Sequence, residues 1–170
     1  EHDIRKLEQF LNNSNDNSRQ LSNVLITHSN KNQSTNYFDQ FTDVSRFKIW
    51  QTSTDREDVL NQLSDMLLID ESAGFKQELL DQIAQRELLS AITFNDVIAV
   101  PHPARAISKV PKIAIGVIPS GLKWSNLYPN IKLVFLLSPS YLNNQGLMAT
   151  TQTIVQLVDC LLYTSDAADE

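Results

Sequence analysis

Phe94-Asn95-Asp96-Val97-Ile98-Ala99-Val100-Pro101-His102-Pro103 is the stretch on which the reading of the fold turns. Val97 to Val100 form a short apolar run of the kind that makes a buried strand. Pro101 ends that run. Pro103 has no N–H to lose and suits the first position of a helical turn, so a turn is predicted over residues 103–108. His102 is thereby set at a strand-to-helix corner where its imidazole can face solvent. The free amides of Ala104 and Arg105 would give the start of the turn a partial positive charge that favours phosphate. A capping histidine without chemistry is the alternative that these ten residues alone leave open.

Two helical patterns precede the corner. Thr54-Asp55-Arg56-Glu57 fits a capping box, with Thr54 as the cap. Val59, Leu60, Leu63, Met66 and Leu67 then share one helical face to about Ile69, and Phe75, Leu79, Leu80 and Ile83 share another from about Ala73 to Leu88. After the corner, Lys112 to Ile118 alternates between two turn signals and reads as a strand. Leu122 to Trp124 reads as a short strand or corner. Ile131 to Leu137 is the most apolar run in the chain and suits a central strand covered on both faces. A last helix is predicted over about Leu147 to Val158. Helix pairs before strands and a helix after them imply an α/β fold, a mixed β-sheet sandwiched by helices.

Arg86-Glu87 closes the second helix sixteen residues ahead of His102. Arg-Glu, a turn with Ser or Thr, an apolar strand and then Ala99-Val100-Pro101-His102 resembles the active-site region of the mannitol/fructose-type enzyme IIA domains of the bacterial sugar phosphotransferase system. The resemblance spans roughly Trp50 to Asp159. It implies the enzyme IIA mannitol/fructose-like fold, a phosphoryl group carried on His102, and Arg86 helping to hold it. No cofactor is implied, and the partners would be HPr or an enzyme IIB-type phosphoryl donor or acceptor. Such a domain is a phosphocarrier rather than a turnover enzyme. Arg105 is a second candidate for phosphate binding, or else a solvated surface charge.

The chain departs from that family at several positions. Ile92 stands where relatives usually carry Ser or Thr, and Asn95 and Val97 where they usually carry glycine. Transport-type relatives have a second histidine at the start of the last helix, where this chain has Leu147, and a glycine at Pro103. Both changes weaken onward transfer more than acceptance of a phosphate. They point to the enzyme IIA-like domain that ends many transcription activators and antiterminators of carbohydrate genes, controlled by phosphorylation of His102. A sugar-transport enzyme IIA passing phosphate from HPr to enzyme IIB is the second reading, and an unphosphorylated interaction domain the third.

The 170 residues allow one ordinary domain and more, and a formal charge of −6 without any Lys/Arg cluster argues against direct nucleic-acid contact. The longest apolar runs fall far short of the ~20 residues a bilayer requires, so no membrane insertion is expected. Without a secretory signal, the expected location is cytoplasmic. The first residue is Glu, which suggests a piece of a longer protein with upstream regulator domains. Residues 1–11, with Ile4, Leu7 and Leu11 at helical spacing, read as the end of such a domain. Residues 12–46 read as a linker because much of the stretch is too polar to repay its ordering entropy. The aromatic residues from Tyr37 to Trp50 are expected to pack against the main domain, residues 47–159. Residues 160–170 are similar to a translated sequencing adapter and are expected to be a non-native tail, with a natural acidic tail as the alternative. His2 and His28 lack partners at ligand spacing, and the lone Cys160 excludes disulfides and thiolate metal sites within the chain, so no metal is expected.

Overall fold

The computed structural model describes residues 42–68, 71–93 and 96–142, together with Ile154. The chain divides into two compact units, Phe41–Gly146 and a second made of Glu1–Gln40 with Leu147–Glu170. Of the second unit only Ile154 is described, and it is helical and buried. The segment 1–11, most of the 12–46 stretch, Asn95, Leu147, the rest of the last predicted helix and the tail 160–170 lie outside the described residues.

Among the described residues of the first unit there are six elements: β1 (Thr42–Ile49), α1 (Arg56–Met66), α2 (Phe75–Leu89), β2 (Ile98–Ala99), β3 (Lys112–Leu122) and β4 (Ile131–Ser138). The strands form one sheet in the order β1-β3-β4-β2. The sheet is mixed, with β1 parallel to β3, β3 antiparallel to β4 and β2 parallel to β4. This is the α/β architecture expected, with β4 in the interior of the sheet. Every residue of β4 is buried, as suits a central strand.

Helical periodicity put the right side chains inward. Val59, Leu60 and Leu63 of α1, with Leu67 just after it, join Phe75, Leu79 and Ile83 of α2 in one core with Ala99, Ala114, Ile118, Val134 and Leu136 of the sheet. Alternate residues of the inner strands, Ile113, Ile115 and Val117 with Leu133, Phe135 and Leu137, are buried as well. Gly116 admits α1 and Trp50 to the sheet: a Cβ there would stand 3.0 Å from Trp50 Cζ3 and 3.2 Å from Leu63 Cδ1. A lysine is drawn into this core at the α1 end. Lys112 Nζ donates to the Leu67 carbonyl at 3.1 Å and pairs with Glu71 at 2.7 Å, which puts a cation where the carbonyls of α1 run out.

Four local expectations need correction. The cap of α1 is Asp55, whose side chain accepts the Asp58 amide at 2.8 Å, while Thr54 Oγ1 donates to the Asp58 carboxylate at 2.9 Å. β3 runs on through Pro119 and Ser120 to Leu122, past the expected turn, and bends at Gly121, whose φ of 77° favours glycine. β1, which begins at Thr42 and carries Phe47, is a strand that the aromatic-rich reading did not foresee. The helical turn over 103–108 does not form. Its donors and acceptors are claimed by tertiary partners instead: the Ala104 amide donates to the Gln82 carbonyl at 3.0 Å, the Ser108 carbonyl accepts the Tyr141 amide at 3.0 Å, and the Ser108 hydroxyl lies 3.2 and 3.0 Å from the carbonyls of Ser138 and Pro139.

Candidate functional site

The last turn of α2 and the chain after β2 build the site between them. α2 ends at Leu89, and Ser90 caps it in extended backbone with its amide on the Arg86 carbonyl at 3.3 Å. The chain then doubles back. Val100 donates to the Ile92 carbonyl at 2.7 Å and Thr93 bridges Ala99, so β2 returns antiparallel to the segment that left the helix. On its other side the same backbone follows β4, where Leu133 donates to Val97 and Leu137 to Pro101. Pro101 and Pro103 are buried, and His102 between them is half-buried. The corner is thus fixed by main-chain bonds on both sides before any side chain is considered.

Arg86 and His102 meet there. Arg86 Nε–H donates to His102 Nε2 at 3.1 Å, and His102 Nδ1 lies 2.8 Å from the Val100 carbonyl. A carbonyl oxygen can only accept, so Nδ1 carries the proton and Nε2 keeps its lone pair. The arginine contact requires the same tautomer, since Nε2 must accept. Desolvation holds the His102 pKa below its ordinary value, the bond to Val100 pulls the other way, and the Arg86 charge lowers it further. The ring is therefore neutral near pH 7, with one nitrogen engaged by backbone and the other nucleophilic.

Arg86 has a second hold. Its Nη1 donates to Ser90 Oγ and, at 3.4 Å, to the Ser90 carbonyl. Glu87, next along the helix, faces other partners. It pairs with Arg56 and accepts the Trp124 indole N–H at 2.9 Å, while the Arg56 guanidinium lies 5.0 Å from the Trp124 ring centroid. This cluster ties the end of α2 to the start of α1 and to the β3–β4 connection.

The two phosphate-binding candidates beside the histidine fare differently from Arg86. The amide of Ala104 is not open, because the Gln82 carbonyl already takes it. The Arg105 guanidinium pairs with Glu78 at 2.7 Å, with both side chains largely exposed. Such a pair is weak in water and leaves Arg105 free to exchange partners. The Val100 carbonyl and Ser90 were missed from sequence. A backbone acceptor has no residue identity to read, whereas Ser90 had one available signal, its position four residues after Arg86 at the helix end.

Among the described residues no helix is long and apolar enough to cross a membrane. The sequence model of the family described as phosphoenolpyruvate-dependent sugar phosphotransferase system, EIIA 2, matches residues 40–163. No curated protein matches the sequence. Among solved structures, the fold is similar to the solution structure of the mannitol-specific cryptic phosphotransferase enzyme IIA CmtB from Escherichia coli, with a TM-score of 0.53 and 15% identity. That similarity covers 76% of this chain and 88% of the other.

Proposed function

Because the chain belongs to the EIIA 2 family of the phosphoenolpyruvate-dependent sugar phosphotransferase system, we propose that His102 is its phosphoryl acceptor and Arg86 the group that stabilises the transferred phosphate. The observation that carries this is the fixed tautomer, with Nδ1–H on the Val100 carbonyl and the Nε2 lone pair beside Arg86. Phosphoryl transfer asks for an exposed nucleophile, in-line approach and positive charge at the equatorial oxygens.

The step balances without a base. The Nε2 lone pair attacks phosphorus on the phosphohistidine of the donor HPr. The N–P bond to the donor breaks, and its electron pair returns to the donor ring. The accepting ring gains positive charge as its own N–P bond forms, and the Val100 carbonyl stabilises that charge through Nδ1–H. Arg86 exchanges the lone pair for phosphoryl oxygens, which its planar fork suits. Arg105, exposed and paired with Glu78 in the resting site, is a candidate second cation.

The role we infer is regulatory, with phosphorylation of His102 controlling a transcription regulator of carbohydrate genes through upstream domains, in the cytoplasm. Two features support it. Pro103 has no amide to offer, and the Ala104 amide is spent on Gln82, so few backbone donors remain to support rapid onward transfer. Leu147 stands where transport-type relatives have their second histidine. A sugar-transport carrier between HPr and enzyme IIB is the second reading, favoured by the fold it shares with a mannitol-specific enzyme IIA.

Incubation with phosphoenolpyruvate, enzyme I and HPr tests both. The chain should gain an acid-labile label that His102→Ala abolishes, and it should return the label slowly. Leu147→His should speed that return. Label retained on His102→Ala would refute the site, and rapid transfer to a sugar-specific enzyme IIB would leave the site standing and favour the transport role.

A further inference from the structure

Arg86 cannot keep its resting contact while His102 accepts a phosphoryl group. Its Nε–H points into the Nε2 lone pair that must form the new bond. An arginine released from that contact would be free to extend into water, since its long side chain has many rotamers. The structure gives it a second tether. Nη1 bonds the hydroxyl and carbonyl of Ser90, and the Ser90 amide in turn bonds the Arg86 carbonyl. The two residues thus bracket one another across the last turn of α2. With the Nη1 corner held, a small rotation of the guanidinium carries Nε–H and the Nη2 donors from the ring nitrogen toward oxygens of an arriving phosphoryl group.

We propose that Ser90 is a positioning residue for phosphoryl transfer, anchoring Arg86 through Nη1 so that the guanidinium pivots onto the phosphoryl group instead of leaving the site. The inference rests on His102 being the acceptor. Ser90 itself touches neither the ring nor the reacting atoms. Nor does the fold depend on its side chain: Ser90 is exposed, and its φ of −168° is extended backbone that any residue adopts. Alanine there keeps the carbonyl acceptor and removes only the hydroxyl.

The test compares the full chain with its Ser90→Ala and Ser90→Thr variants, titrating phospho-HPr and following label on His102. Ser90→Ala should lower the maximal rate about 10-fold, the modest end of what a misplaced charged group costs, at an unchanged half-saturating donor concentration. Ser90→Thr should restore the rate to within about twofold, because it returns the hydroxyl. In NMR spectra of the unphosphorylated proteins, the Arg86 Nε–H signal should sharpen and stand apart in the unaltered chain and merge with the other arginines in Ser90→Ala. A Ser90→Ala rate equal to that of the unaltered chain overturns the proposal. So does a slow Ser90→Thr variant, or a loss of rate that follows a lowered melting temperature. Failure of the unaltered chain to take label on His102 would instead overturn the acceptor reading beneath it.

Discussion

Replacing Arg86 by alanine removes a cation in direct contact with His102. Phosphorus bonded to Nε2, which lies 3.1 Å from Arg86 Nε, would bring its oxygens to roughly 4 Å from the guanidinium. At an effective dielectric near 20 such a pair interacts by about 4 kcal/mol. Only the part that grows between the bound donor and the transition state accelerates transfer, so a loss of about 1.4 to 4 kcal/mol, or 10- to 1,000-fold in rate, is expected. Arg86→Lys should fall between the two, keeping the charge without the planar fork or the Ser90 anchor. The same alanine variant should raise the His102 pKa, because the arginine charge is one of the causes that depress it. Rapid-quench labelling from phospho-HPr measures the rate, and NMR titration of the ring measures the pKa. An Arg86→Ala protein that labels within threefold of the unaltered chain would refute the electrostatic argument. A His102 pKa that falls in that variant would refute the account of the resting contact.

Three further outcomes follow from the packing. His102 is depressed below its ordinary pKa of about 6.5, so below that pH the unfolded chain binds more protons than the folded one, and stability present above it is lost as pH falls. Urea midpoints taken from pH 7 down to pH 5 should therefore decline less steeply for His102→Gln, and equal slopes would count against the assignment. Lys112→Met leaves the partly buried Glu71 carboxylate without its cation and removes the donor to the Leu67 carbonyl, which should cost about 3 kcal/mol in denaturant unfolding, the low end for breaking a buried pair. Adding Glu71→Leu should recover much of that loss, and no recovery would show that the pair is not what the lysine serves. Gly116→Ala forces a methyl against Trp50 and Leu63 and should cost about 1–3 kcal/mol by thermal melting; a neutral result would mean that the indole moves aside freely.

The parts of the fold that were legible are those whose cause is local. Val59, Leu63, Leu79 and Ile83 declare two helices by spacing alone, and the unbroken apolar run from Ile131 announces a strand buried on both faces. β1 was not legible, because its mixed polar sequence owes its conformation to β3, a partner far along the chain. The turn after Pro103 failed for a related reason: a proline permits a helical start, yet the Gln82 carbonyl and the Ser138–Pro139 backbone outbid it for the segment's donors. At the site, the spacing from Arg86 to His102 pointed to two side chains that the structure does bring into contact. The tautomer could not be read from sequence, since it depends on which way the Val100 carbonyl points.

The parallel pairing of β1 with β3 also sets an order of events as the chain is made. Ile49 pairs with Val117, sixty-eight residues later, whereas Leu122 and Ile131 of β3 and β4 pair only nine positions apart. At about 5–20 residues per second of synthesis, β1 leaves the ribosome roughly 3–14 s before its partner exists. The α1–α2 pair and the β3–β4 hairpin can assemble from nearby contacts, while β1 must bear the largest loop-closure cost and join last. Until then its backbone is an unpaired edge within reach of any other extended chain. The nascent protein is accordingly most exposed to misassembly through the strand that, among the described residues, borders the folded sheet.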